Sequence, residues 1–335
     1  MPSLLSSRVV LALGMVIAVG LSGCRNGSGP AISIGLGSWP GAEFLYLAQE
    51  LELFAEEGVR VRIVEFDAPS DARRAFELGQ LDGTTSTQVE LLHLRESGTR
   101  TPTAVFVLAT STGAHAFLAR TGECDGDLGR FAALRIGVEP ESCGEYLLMQ
   151  AVQREGRTLE DVTRVPLHGA AMRDALREGR VDAAVVAPPF SITLNRDPAV
   201  EQVPFVADEG GEVQDLLLFD ADFLKTHIDD VSRVLRALDR AMAFADEHPE
   251  RAFEILGSRV GLSATEVGHV LGEDVRRHRL DEQAALMRAG GPLEIATRTV
   301  YDSLTRAGHL GSSRSSVPTW SRLPFKRAVK TWSPR

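Results

Sequence analysis

Ser70-Asp71-Ala72-Arg73-Arg74-Ala75-Phe76-Glu77-Leu78-Gly79-Gln80-Leu81-Asp82-Gly83 is echoed by Ala170-Ala171-Met172-Arg173-Asp174-Ala175-Leu176-Arg177-Glu178-Gly179-Arg180-Val181-Asp182-Ala183. The matched glycines, 79 and 179, and the matched aspartates, 82 and 182, are each 100 residues apart. Each copy reads as an amphipathic helix stopped by glycine, the residue that most easily turns left-handed past a helix end. An aspartate then leads into a buried strand, at 84–86 in one copy and 184–186 in the other. Ahead of each copy lies a further stretch with strand character, 61–66 and 162–167. The chain therefore contains two similar α/β units.

Working outward, the two units also open alike. Residues 32–35 and 134–137 are short apolar strands, each followed by a loop and then a helix starting near 41–44 or 144–147. In the first of these helices Phe44, Leu47, Ala48, Leu51 and Phe54 recur at three- and four-residue spacing, which gives one core-facing stripe. Strands alternating with helices imply mainly parallel sheets covered on both faces. Ligands of such sheets sit beyond the carboxyl ends of the strands. The loops at 36–42, 84–88, 111–114, 138–144 and 187–190 are thereby expected around a common crevice. Residues 104–109 and 114–119 read as strands on either side of the turn Ser111-Thr112-Gly113, and a polar stretch at 208–212 precedes another strand at 216–219. Beyond 221 helical stripes dominate, with Val231, Leu235, Leu238 and Met242 in step. The expected organisation is a discontinuous first lobe, 30–112 plus 216–308, with a second lobe, 113–215, inserted into it. Two crossings between lobes make a hinge.

At the N-terminus Arg8 precedes an apolar run over 9–20 that ends in Leu21-Ser22-Gly23-Cys24. The run falls short of the ~20 residues needed to span a bilayer. A charged start, a short hydrophobic stretch and small residues at its end describe a secretory signal. Leu-Ser-Gly-Cys resembles the lipobox of bacterial lipoproteins, which implies removal of 1–23, lipidation of Cys24 and a tethering linker over 24–29. The alternative is a buried N-terminal helix with an incidental cysteine. Without the leader, 35 basic side chains (36 less Arg8) face 46 acidic ones over 312 residues, a net charge of −11. That excess of acid argues against nucleic acid, whose phosphates need Lys and Arg clusters. Hydrophobic content of 44% and charged content of 24% fit two globular lobes. Cys124 and Cys143 either pair in an oxidising compartment or stay as two separate thiols. The last stretch, 309–335, is basic and rich in Ser and Pro, and reads as a disordered, solvated extension.

A resemblance joins these features. Gly37-Ser38-Trp39-Pro40-Gly41 with Phe44-Leu45-Tyr46-Leu47-Ala48 and Glu52-Leu53-Phe54, the paired Gly-x-Leu/Val-Asp segments, Ser111-Thr112-Gly113-Ala114, and His248-Pro249-Glu250 after a long helix resemble the solute-binding proteins of nitrate, sulfonate and taurine ABC importers. That superfamily also holds binders of thiamine-precursor pyrimidines, and it reaches pyrimidine-synthesising enzymes. The resemblance covers nearly all of 31–308 and implies a two-lobed periplasmic binding protein of type II, closing on a small, anionic organic ligand. It implies as partners that ligand, an ABC permease and its ATPase, and a membrane through the lipid anchor. No cofactor, metal, nucleic acid or second copy of the chain is expected, and the place of work is the periplasm or the outer face of the cell membrane. A ligand-sensing lipoprotein needs the same closing cleft and stays open as an alternative.

The resemblance also implies site residues. Trp39 occupies a loop that offers a ligand a flat apolar wall and an indole donor, or else caps the lobe edge. Ser86, Thr87, Ser111, Thr112 and Gly113 bring hydroxyls and free backbone N–H groups to strand ends, where they hold an anionic group or simply cap helices. Ser142, Gly144 and Pro189 match contact positions of the second lobe by location. His115 stands where related sequences carry an acid, which weakens the case for a taurine-like ammonium. Glu43 offers a negative contact, or favours a helix dipole in the first turn. A dinucleotide reading of Gly35-Leu36-Gly37-Ser38-Trp39-Pro40 fails, because the third glycine is missing and Pro40-Gly41 changes the turn. No nucleophile elbow, phosphate-binding loop or zinc-protease motif appears, and His115 and His168 stand alone. No catalytic residue is expected.

Overall fold

The computed structural model describes residues 30–111, 113–205, 212–311 and 320–331. The secretory leader, Cys24 and its linker, Thr112, most of the polar stretch at 208–212 and parts of the tail lie outside the described residues. Eleven strands build two sheets among those described: β1 Ile32–Gly37, β2 Val61–Phe66, β3 Gly83–Thr87, β4 Pro102–Ser111, β5 Ala116–Arg120, β6 Arg135–Val138, β7 Thr163–Pro166, β8 Ala183–Val186, β9 Val200–Val203, β10 Val213–Asp220 and β11 Val275–Arg277. The first sheet runs β11-β4-β10-β3-β1-β2 and the second β7-β6-β8-β5-β9.

The duplication is visible strand by strand. In the first sheet β1 lies parallel between β2 and β3, with Ile34 beside Ile63 and Gly83. In the second β6 lies parallel between β7 and β8, with Ile136 beside Arg164 and Ala183. The repeated helices are Pro69–Glu77 and Gly169–Arg177, and the glycines that follow, Gly79 and Gly179, have φ of 74° and 70°. The repeated aspartates explain themselves here. Asp82 Oδ2 accepts from the backbone N–H and hydroxyl of Ser33 at the start of β1, both at 2.8 Å. Asp182 accepts from the backbone N–H and guanidinium of Arg135 at the start of β6. Each aspartate pins the head of the central strand to the chain that enters its neighbour.

The remaining strands are antiparallel, so both sheets are mixed rather than mainly parallel. The cause is the double crossing. After β4 the chain leaves for the second lobe, enters it as β5 antiparallel to β8 and β9, and returns as β10, antiparallel to β3 and β4. The return falls at Val213, three residues earlier than the pattern suggests, since Val213 already pairs with Ser111. Two short edge strands, β9 and β11, are marked by polar rather than apolar residues, Glu201 and Gln202 in one and Arg276 and Arg277 in the other. The stripe from Phe44 to Phe54 is broken at Glu52, whose φ of 56° divides Phe44–Glu50 from a second short helix, Leu53–Glu56.

One core gathers Leu36, Phe44, Phe106, Leu217 and Leu238 under the first sheet. A second joins Phe117, Phe131, Tyr146 and Val185 of the inserted lobe to Val89 and Leu92 of helix Gln88–Ser97 and to Val300 and Leu304 of helix Pro292–Arg306. The lobes thus share an apolar contact behind the crevice. Part of the tail departs from the expected disorder. Trp320 forms a bridge with Ala104, and helix Leu323–Thr331 packs on helix Ala221–Glu247 with Phe325 and Ala328 buried. Burying Phe325 alone is worth about 2 kcal/mol, while Arg327 pairs with Asp229. No described helix is long and apolar enough to cross a membrane.

Candidate functional site

The carboxyl ends of the parallel strands meet at a cavity of about 100 Å³ walled by both lobes. Its fixed point is Trp39, just past β1. The indole Nε1 donates to Asp215 Oδ2 at 2.7 Å, and the ring stacks on His115 at 5.6 Å between centroids. Gly41 makes this possible, because a Cβ there would sit 2.7 Å from the indole nitrogen and 2.8 Å from Asp215 Oδ2. The Trp–Asp pair and a side chain at 41 exclude one another. Asp215 comes from the middle of the first sheet, where β10 sets it beside Thr87 on one side and Ala109 on the other. It is 3% exposed, and its burial pushes the carboxyl up to about 8. Desolvation likewise drives the His115 imidazole down to about 4, so the ring is neutral.

Glu90 joins the lobes. It sits at the third position of helix Gln88–Ser97, takes the N–H and hydroxyl of Thr87 in a capping box, and accepts from the Cys143 N–H of the other lobe at 2.8 Å. Glu139, after β6, returns the contact by accepting from Ser70 N at 2.8 Å, at the start of helix Pro69–Glu77. Burial raises the Glu139 carboxyl above its ordinary range. At the rim Arg73 pairs with Glu141 at 2.7 Å. Three contacts therefore cross from lobe to lobe around one cavity.

Of the residues singled out from sequence, Trp39, Ser86, Thr87, Ser142 and Gly144 line this cavity. Of the two roles anticipated for the hydroxyls, helix capping is present at two of them. Thr87 caps helix Gln88–Ser97, and Ser142 caps helix Cys143–Arg154 through Glu145 N. Ser111, Gly113 and Pro189 are not brought to the cavity. Ser111 is buried in the ladder between Val213 and Val275, Gly113 is exposed at the crossing, and Pro188 lines the wall while Pro189 heads the following helix. Glu43 also stays out of the cavity. It is buried against Arg259, and desolvation raises its carboxyl to about 8. Cys124 and Cys143 are two separate thiols. Cys124 donates to Glu201 at 3.5 Å near β9, whereas Cys143 opens a helix at the cavity.

Sequence reasoning missed the acids. Asp67, Glu90, Glu139 and Asp215 all line the cavity, as do Met172, Val185 and Phe190 from the second lobe. Asp215 did leave a signal, since it interrupts the apolar strand Val213–Asp220 at a position flanked by strands on both sides. Glu90 was hidden by its own capping box. Glu139 and Asp67 sit in loops, where acids are unremarked.

Two sheets, a double crossing and a cavity between lobes define a periplasmic-binding-protein fold. Within that class the chain belongs to the NMT1/THI5-like family, whose model matches residues 39–252. Solved structures agree on the fold. The alkanesulfonate-binding protein SsuA from Xanthomonas axonopodis pv. citri, bound to MOPS, superposes with a TM-score of 0.68 at 18% identity, over 89% of this chain and 98% of that one. The periplasmic nitrate-binding protein NrtA from Synechocystis PCC 6803 gives 0.70 at 13%, over 90% and 88%. A ligand-binding component of an ABC-type import system from Staphylococcus aureus gives 0.71 at 14%, over 89% and 98%. No curated protein matches by sequence.

Proposed function

We propose that the chain is a lipid-anchored, extracytoplasmic solute-binding protein that captures a small organic molecule between its lobes and delivers it to the permease and ATPase of an ABC importer. It does no chemistry on that molecule. The observation that carries this reading is the cavity itself, whose walls come from two lobes joined by two crossings, the arrangement that lets hinge closure trap a ligand. Family membership and the fold of the sulfonate- and nitrate-binding proteins support it. The lipobox-like sequence at Cys24 supports the anchor.

A thermal-shift screen of the chain from residue 25 onward tests capture. A ligand at ~100 times its dissociation constant stabilises by ~2.7 kcal/mol, and small-angle scattering then shows contraction. A ligand that stabilises the chain without contraction would place binding outside the cleft. Changing Cys24 to Ala tests the anchor, with release from membranes or an unprocessed precursor as the expected outcome.

A further inference from the structure

Helix N-termini are ready-made anion sites, because their free N–H groups and the positive end of the dipole point at the ligand. At two of the helices that open on this cleft, Pro69–Glu77 and Cys143–Arg154, the protein has filled such donors itself, while helix Gly169–Arg177 has no side-chain cap. Cys143 N is taken by Glu90, Ser70 N by Glu139 and Glu145 N by Ser142. No Lys or Arg is among the residues lining the cavity, and His115 is neutral. An incoming anion would meet four carboxyl side chains and, at two of the three helix starts, donors already taken.

The opposite ligand charge finds an open partner. Among the described residues Asp215 receives a single hydrogen bond, from Trp39 Nε1 to Oδ2, which leaves Oδ1 without a donor on an almost wholly buried side chain that lines the cavity. A buried acid left in that state costs stability until something neutralises it. Beside it stand the Trp39 indole, an aromatic surface attractive to a cation where His115 does not cover it, and an apolar wall of Met172, Val185 and Phe190. We propose that the cleft takes a small organic cation, an ammonium or amidinium on a compact or flat apolar body, with its nitrogen on Asp215 Oδ1 and its body between Trp39 and the second lobe. This rests on the solute-binding reading above.

The competing chemistry is an anion accepting from Asp215 in its protonated form, which the raised carboxyl makes available near neutral pH. Titration calorimetry of the full chain separates the two, using benzamidinium and butylammonium against benzoate and benzenesulfonate. The expected result is cation binding, with the anions at least about tenfold weaker. Benzamidinium affinity should rise about tenfold between pH 6.5 and 7.5, because the ligand must displace the Asp215 proton; Glu139 is the other lining carboxyl raised by burial, and the profile of the Asp215→Asn variant separates the two. Asp215→Asn should lose at least tenfold for both cations and flatten the pH profile. The wild-type pH profile keeps the test intact should that variant fold poorly. Tighter binding of benzoate or benzenesulfonate, or no binding of either cation, overturns the inference. The solute-binding reading falls separately, when the broader screen also yields no ligand that contracts the molecule.

Discussion

The two lobes share a frame and differ in what they bring to the cleft. Each has a central strand flanked by parallel neighbours, a nine-residue helix closed by a left-handed glycine, and an aspartate pinning the head of the strand. At the carboxyl ends the likeness stops. The first lobe presents Trp39, Thr87, Glu90 and Asp215, while the second presents mainly Met172, Val185, Pro188 and Phe190 with one acid, Glu139. Strand and helix positions are fixed by burial and backbone bonding, which both copies must satisfy alike. Loop residues and polar positions at the strand ends are freer of that demand, so the chemistry gathers there.

The largest expected effect is in Asp215, which has no counterpart among the pinning aspartates. Its carboxyl titrates near 8 in the folded chain against 3.8 ordinarily, so the folded state holds a proton that the unfolded chain has already released. Stability from this group is whole below about pH 4 and drains away as pH climbs through 8. Asp215→Asn, which cannot ionise, should gain more stability at pH 8 than at pH 5, by on the order of 4 kcal/mol. Denaturant melts at both pH values check this, and equal gains would show that Asp215 is not held protonated. Asp182 has the opposite sign. The Arg135 guanidinium and N–H hold its carboxyl below the ordinary range, so its contribution is present above about pH 4 and is lost on acidification.

Next comes Trp39→Ala, which strips the aromatic wall and leaves Asp215 without its donor. Ligand affinity should fall by about 2 kcal/mol, roughly thirtyfold. A ligand bound with unchanged affinity would mean that the first lobe does not dominate recognition. The pinning aspartates sharpen the comparison from the other side. Asp82→Ala and Asp182→Ala should each cost about 1–2 kcal/mol, the first more because Ser33 is the less exposed partner. Ligand affinity should change in neither. Smallest is Arg73→Ala, which removes the half-exposed pair with Glu141 across the rim. It should weaken closure by about 0.5 kcal/mol, an effect that high salt reproduces in the wild type.

Much of the frame was legible because the duplication repeats its own evidence. Glycine, aspartate and strand recur together, and β2 occupies the predicted residues 61–66. The mixed character of the sheets was not legible, since strand direction depends on where the chain crosses between lobes and no local pattern records that. In the tail, Phe325 and Ala328 were masked by Arg322, Lys326, Arg327 and Lys330, whose charge reads as solvation until Asp229 and the long helix are seen beside them. The cleft was half legible. Trp39, Ser86, Thr87, Ser142 and Gly144 follow from what the family resemblance implies at the strand ends and helix starts, but the acids that set its charge are brought together only by the sheet and by contacts between lobes.

Cys143 gives the molecule a built-in chemical clock. The thiol lies in the cavity wall, 3% exposed, with its pKa raised well above the ordinary value by burial. Thiolate is the reactive form, so an alkylating reagent must wait until the lobes part and water reaches the sulfur. Cys124, buried behind β9 and bonded to Glu201, reports only on unfolding. On the proposed closing mechanism, the ratio of the two labelling rates should follow how often the unliganded cleft opens, and a bound ligand should slow the first rate while leaving the second to follow global stability.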